Sequence, residues 1–198
     1  YKKRAGTTDY GSEYEKLTIA NLVLRLVSDA NLKNFSVSSG DEKFDRFDDV
    51  VVETETLDDI TTTFALQLVH SERNVLSLKH LQVPKGNFSL KEFFRSFQRT
   101  QTLANKFILY TNRKMNIEDN TEFCLDGEDF FIKISRISPE VSILGESGCC
   151  FKFSVVDETD TISDKIWEYK RFFERFYLYA SQNNAKQLQV NTANTFQK

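Results

Sequence analysis

Residues 47–71 read FDDVVVETETLDDITTTFALQLVHS. The run is rich in Val, Thr, Leu and Phe, which suit a pleated, half-buried surface, and it predicts one strand over Phe47–Glu55 and another over Thr61–Ser71. Side chains alternate across a strand. Phe47, Asp49, Val51 and Glu53 therefore share one face of the first strand, with Asp48, Val50 and Val52 on the other. On the second, Ala65, Gln67 and Val69 share a face, opposite Phe64, Leu66, Leu68 and His70. A carboxylate opening a valine run and a glutamine centred in a leucine strand are both costly in a plain core, so each needs a partner.

Working outward, Ser12–Ser28 reads as a helix. Ser12 and Glu15 have the spacing of a capping box, and Leu17, Ala20, Leu24 and Val27 recur on one face, which Glu13 joins. Phe35–Ser39 is a short strand, and Asn74–Leu81 is strand-like before the turn marked by Pro84 and Gly86. Ser89 can cap a second helix whose stripe is Phe93, Phe94, Phe97 and Leu103. Lys106–Thr111, KFILYT, is a compact apolar strand that Asn112 would end. The order is helix, three strands, helix, strand, which fits two helices on a small mixed sheet, the last strand reached by a right-handed crossover. From Glu118 the pattern changes: Glu128–Ile137 and Val141–Val156 read as antiparallel strands, the latter folded into a hairpin by GESG, and Ser163–Ser181 as an aromatic helix. The expected organisation is a core over residues 1–113, a β-β-β-α appendage packed on it over 114–182, and a tail over 183–198, with the first eleven residues also reading as a tail.

With 198 residues, 40% hydrophobic and 28% charged, the chain is long enough for one well-buried core. Two prolines, seven glycines and eighteen phenylalanines predict order through most of it. Tyr1 in place of an initiator methionine is read as a piece of a longer chain. No stretch approaches the roughly twenty apolar residues of a membrane span, so no membrane is expected as a partner. Cys124, Cys149 and Cys150 lack the spacing of a zinc site and read as idle thiols of a cytoplasmic or nuclear protein. A net charge of −3 argues against coating nucleic acid without selectivity and leaves room for a local groove. The basic residues of RSFQRTQ and TNRK could line one, while a solvated helix face explains Arg95 and Arg99 equally well. The aromatics of DKIWEYKRFFERFYLYA suggest burial, either in the core or against a partner or another domain.

Phosphodiester hydrolysis gives Asp49 and Gln67 a reason to lie together, because magnesium takes oxygen ligands from an Asp and a second donor at the ends of adjacent strands. A lysine two residues beyond the second donor would share its face and offset charge on the phosphorane. That position is Val69. The ordered set FDDVVVE, FALQLVHS and FILYTN, within the helix-strand-strand-strand-helix-strand order, resembles the PD-(D/E)xK restriction-endonuclease-like superfamily, as found in nuclease-type domains at the front of large multidomain defence proteins and toxins. The resemblance covers about Gly11 to Asn112. It implies an α/β restriction-endonuclease-like core, with Asp49 (Asp48 as alternate) at the motif aspartate, Gln67 at the acid-or-glutamine position, Glu13 as an accessory metal-binding glutamate and Val69 at the lysine position. Lys79 or His70 could substitute for the lysine, although His70 faces the other way.

Taken singly, Asp48 and Asp49 could end a loop, Gln67 could bond a neighbouring strand, and Glu13 could favour a helix start. Three functions follow. The first is a nuclease-like domain without efficient catalysis, acting as a nucleic-acid-binding or protein-binding module of a larger chain. The second is an active magnesium nuclease, on DNA or RNA, with Glu13, Asp49 and Gln67 as its Mg2+ site. The third is an unrelated interaction domain.

Overall fold

A computed structural model describes residues 9–71, 75–144, 148–156 and 163–195. Helix α1 (Asp9–Ser28) leads into β1 (Leu32–Ser38), and a 3-10 turn (Glu42–Phe47) precedes β2 (Val50–Thr56) and β3 (Thr61–Val69). Then come β4 (Val75–Leu76), α2 (Leu78–Gln82), α3 (Leu90–Thr100), β5 (Lys106–Thr111) and β6 (Lys114–Met115). The rest is β7 (Thr121–Cys124), β8 (Phe131–Ile137), a 3-10 turn (Ser142–Leu144), β9 (Cys149–Val156), α4 (Asp164–Arg175), β10 (Phe176–Ala180) and α5 (Ala185–Thr195). The fold is mixed α/β, as expected. Eight strands make one sheet in the order β1-β2-β3-β5-β10-β9-β8-β7, and β4 pairs with β6 separately. Strands β3, β5 and β10 run parallel to one another, and every other neighbouring pair in the large sheet is antiparallel.

Alternation along the strands builds two cores. On one face, Val51, Ala65, Phe107, Leu109 and Leu178 meet the phenylalanines of α3 and α4; on the other, Val50, Val52, Leu66, Ile108 and Tyr179 meet α1 and α5. Helix α3 starts where Ser89 Oγ accepts from the Glu92 N–H at 3.3 Å, and its Phe93, Phe94 and Phe97 are buried. Phe176 holds the first core together: its ring lies 4.7 Å from Phe172, 5.7 Å from Phe93 and 6.2 Å from Phe47. Offset and edge contacts of this kind add about 0.5–1.5 kcal/mol each beyond area burial.

Several elements differ from expectation, each for a physical reason. Helix α1 begins at or before Asp9, so Ser12 lies inside it and is not its cap, and its buried stripe is Tyr14, Thr18, Leu22 and Leu26, one face round from Leu17, Ala20, Leu24 and Val27. Tyr14 and Thr18 carry polar groups, which hid that stripe; Thr18 satisfies its hydroxyl on the Tyr14 carbonyl at 2.8 Å. Phe47, Asp48 and Asp49 precede β2 and do not belong to it. The strand read at 74–81 is reduced to Val75–Leu76, its second half belongs to α2, and the first arm of the hairpin read at 141–156 is a 3-10 turn; Asn74, and Gly145, Glu146 and Ser147 of the GESG, lie outside the described residues.

The largest difference is at 163–181. The helix stops at Arg175 and the chain becomes β10, a central strand between β5 and β9. No Gly or Pro marks the stop. Distant residues make it: Lys152 Nζ donates to the carbonyls of Phe173 and Glu174 at 3.1 and 2.5 Å, and the Arg175 guanidinium donates to those of Gln101, Ala104 and Asn105. The segment 114–182 thus extends the sheet of the first 113 residues and supplies a strand to its middle. The tail expected at 183–198 contains α5, which packs on α1 through Leu188 and accepts a 3.4 Å bond from Asn21 Nδ2 at the Leu188 carbonyl.

Removing β10 should therefore undo the fold. A fragment ending at residue 113 should lack a cooperative urea transition, and Phe176→Ala in the full chain should cost about 3–5 kcal/mol. A fragment with a dispersed NMR spectrum and a cooperative transition would show that the first 113 residues fold alone.

Candidate functional site

Asp49 is set in place by the turn before it. Phe44 and Phe47 are buried, the Arg46 N–H donates to Ser96 Oγ at 3.1 Å, and Arg46 pairs with Glu92 at 3.0 Å, so the turn is fastened to α3. Strand β2 then pairs with β3 from Val50 opposite Leu66, and one step back Asp49 falls opposite Gln67. Asp49 Oδ2 accepts from Gln67 Nε2 and from the Leu68 N–H at 2.8 Å. Asp49 is only 8% exposed, so these bonds answer a real desolvation cost: an unmade bond to a buried group costs about 1–3 kcal/mol, and more for a charge. Asp48 is buried further still, and its carbonyl accepts from Gly40 at 2.8 Å.

Val69 follows Gln67 by two residues and is buried in the core that holds Leu76, Leu81 and Phe88. That core is on the α3 face. Helix α1 covers the opposite face, and there Glu13 is exposed. Its neighbour Tyr14 stacks on His70 at 4.7 Å, which places the His70 ring on the α1 side, as alternation predicted. Lys79 is exposed on α2. The structure thus brings Asp49 and Gln67 together with Val69 beside them, and leaves Glu13 in solvent on the other side of the sheet. Among the described residues, no three His, Cys, Asp or Glu side chains gather closely enough to hold a metal ion.

Sequence reasoning missed two features. One is the Leu68 N–H, a backbone donor that no side-chain pattern announces. The other is the junction at the carboxyl ends of β3 and β5: Asn112 Oδ1 accepts from the Ser71 N–H at 3.0 Å while its Nδ2 donates to the Ser71 carbonyl at 3.1 Å, and Arg113 donates to Ser71 Oγ at 2.9 Å. Asn112 extends the ladder with its side chain where the backbone pairing ends. Arg95 and Arg99 of RSFQRTQ pair with Glu92 and Asp45, as a solvated helix face would. Burial pushes the Cys150 thiol up to about 11, far from the depressed values of reactive cysteines.

Comparison with protein-family models finds no match, and comparison with curated proteins finds none either.

Truncating Asp49 should leave two donors unanswered, so Asp49→Ala should lower stability by about 1–3 kcal/mol in urea unfolding, while Glu13→Ala should change it by under about 0.5 kcal/mol. Equal effects would mean that the Asp49 bonds carry no weight in the fold.

Proposed function

We propose that this chain is a PD-(D/E)xK nuclease-like domain whose catalytic lysine position holds Val69 and which acts as a nucleic-acid-binding or protein-binding module of a larger chain. The observation that carries this reading is the meeting of Asp49 and Gln67 where β2 begins, with Val69 buried two residues on along β3. Supporting it is the order α1, β1, β2, β3, α3, β5, with β5 reached through α3 and parallel to β3. That order is the one expected of a restriction-endonuclease-like core.

The donor chemistry at the pair suits magnesium, which commonly takes one or two carboxylates and fills its shell with water and substrate phosphate. Asp49 and the amide oxygen of Gln67 would hold it, with the amide turned from its present bond to Asp49. What is missing is the cation that offsets charge on the reacting phosphate, and loss of such a stabiliser costs on the order of a hundredfold to a thousandfold in rate. An active enzyme built on Glu13, Asp49 and Gln67 is the weaker reading, because Glu13 stands exposed on the helix that covers the other face. No helix among the described residues is long and apolar enough to cross a membrane, and the three free cysteines suit a cytoplasmic or nuclear setting.

The wild-type chain should show no magnesium-dependent cleavage of single- or double-stranded DNA or RNA, and Val69→Lys should restore it. The stem of the lysine would lie along Leu76 and Leu81 with its ammonium carried outward toward Gln67. Adding Asp49→Ala should abolish the restored activity. Cleavage by the wild-type chain that depends on Asp49 would instead establish the active enzyme.

A further inference from the structure

The basic residues of TNRK are not used by the Asp49–Gln67 pair, and their setting is specific. Strands β3, β5 and β10 end side by side, and the carboxyl ends of parallel strands are where open α/β sheets bind ligands. Arg113 extends from the end of β5 and is held from several sides. Its carbonyl accepts from the Ser181 N–H at 2.7 Å, its guanidinium lies 4.5 Å over the Phe88 ring, and it donates to Ser71 Oγ. Phe88 belongs to the core that contains Val69, so Arg113 is on the α3 face with Val69 and Gln67. A guanidinium fixed on a ring loses little freedom when it binds an anion.

Around Arg113 the surface is basic. Lys114 sits in β6, paired in register with Val75 of β4; two residues past β4 begins α2, which carries exposed Lys79. The ring of His80 stands 6.4 Å from Phe88, which ties α2 to the same spot, and exposed Lys85 lies in the connection between them. Among the described residues none of Lys79, Lys85 and Lys114 makes an ion pair. Arg113, Lys79, Lys85 and Lys114 thus put four cations at this end of the sheet in a chain whose net charge is −3. Charge of one sign gathered on one surface is the footprint of a polyanion site.

We infer that the rim formed by Arg113, Lys79, Lys85 and Lys114 is where this domain holds the phosphodiester backbone of a nucleic acid, with Arg113 as the fixed contact and the lysines as mobile ones. The inference rests on the nuclease-like reading and names the partner class that the binding module would take. It assigns the rim to backbone contact, so base sequence should matter little.

The test is fluorescence anisotropy of the full chain with a labelled DNA duplex, an RNA of the same sequence and polyglutamate, between about 50 and about 200 mM salt. The wild-type chain should bind nucleic acid with affinity falling steeply as salt rises. Lys79→Gln with Lys114→Gln should weaken binding roughly tenfold and flatten the log–log salt slope by about 1.8 on duplex DNA, about 0.9 for each phosphate no longer neutralised. Arg113→Lys keeps the charge and gives up the fork on Phe88, so affinity should fall with the slope unchanged; if that variant misfolds, the exposed lysine pair still decides. Lys16→Gln with Arg25→Gln, exposed on α1 across the sheet, should change nothing.

No nucleic-acid binding, tighter binding to polyglutamate, or equal weakening from the Lys79/Lys114 and Lys16/Arg25 pairs would overturn the inference. The nuclease-like reading is scored separately. Cleavage by Val69→Lys that is indifferent to the rim lysines would keep that reading and discard this inference, and rim binding with a silent Val69→Lys would do the reverse.

Discussion

Five buried residues, Phe176 to Ala180, carry hydrogen bonds on both edges, parallel to β5 on one side and antiparallel to β9 on the other. Without them β1-β2-β3-β5 and β9-β8-β7 would be two sheets, each with a raw edge where an apolar strand faces water. The aromatic core depends on the same strand. Phe176 touches rings from the turn before β2, from α3, from β9 and from α4, so elements more than a hundred residues apart are packed through one side chain. The position of Asp49 follows from this, because the turn that presents Asp49 is anchored by Phe47 in that same cluster.

At position 69 the packing is apolar. Val69 completes an apolar surface with Leu76, Leu81 and Phe88, which belong to β4, α2 and the segment leading to α3. A lysine there would have to thread its stem through that surface and keep its head among polar groups, so the packing favours valine. The remaining polar groups are not idle. Asp49 Oδ2 is answered by a side-chain amide and a backbone N–H, and a buried carboxylate bonded in this way can persist for the fold alone.

What could be read from the sequence was what local periodicity encodes. The alternation through 50–69 is right, the Ser89 cap and the Phe93, Phe94 and Phe97 stripe of α3 are right, and KFILYT is β5, but Leu103, read into that stripe, lies past the end of α3 and is exposed. Asp49, read into the strand, stands one residue before β2 and still meets Gln67 of β3. What escaped was set by distant partners. FYLYA continues a helical pattern of aromatics and becomes a strand because Lys152 answers the last carbonyls of α4 from outside it, because the Arg175 side chain ties the helix end to the carbonyls of Gln101, Ala104 and Asn105, and because β5 and β9 leave a slot for it. Val27, read as part of the buried face of α1, is 69% exposed, while Tyr14 and Thr18 occupy that face with hydroxyls that a hydropathy pattern counts against them. Glu13 was tied to the mistaken face and went into solvent with it.

Net charge, by contrast, averages over a segregated chain. Four of the nine acids between residues 41 and 59 are ion-paired: Asp41 with Lys43, Asp45 with Arg99, and Glu55 and Asp59 with Lys33. Paired in this way on the surface, they contribute little to stability and little to the field at a distance. The cations of 75–88 and 112–115 have no such acids in their own segments. Screening limits each charge to about 8–10 Å at physiological salt, so a partner approaching the ends of β3 and β5 would meet the local sign and not the total of −3. The acidity of the whole therefore sets no bound on what the rim can hold, and it disfavours only the faces where the acids are.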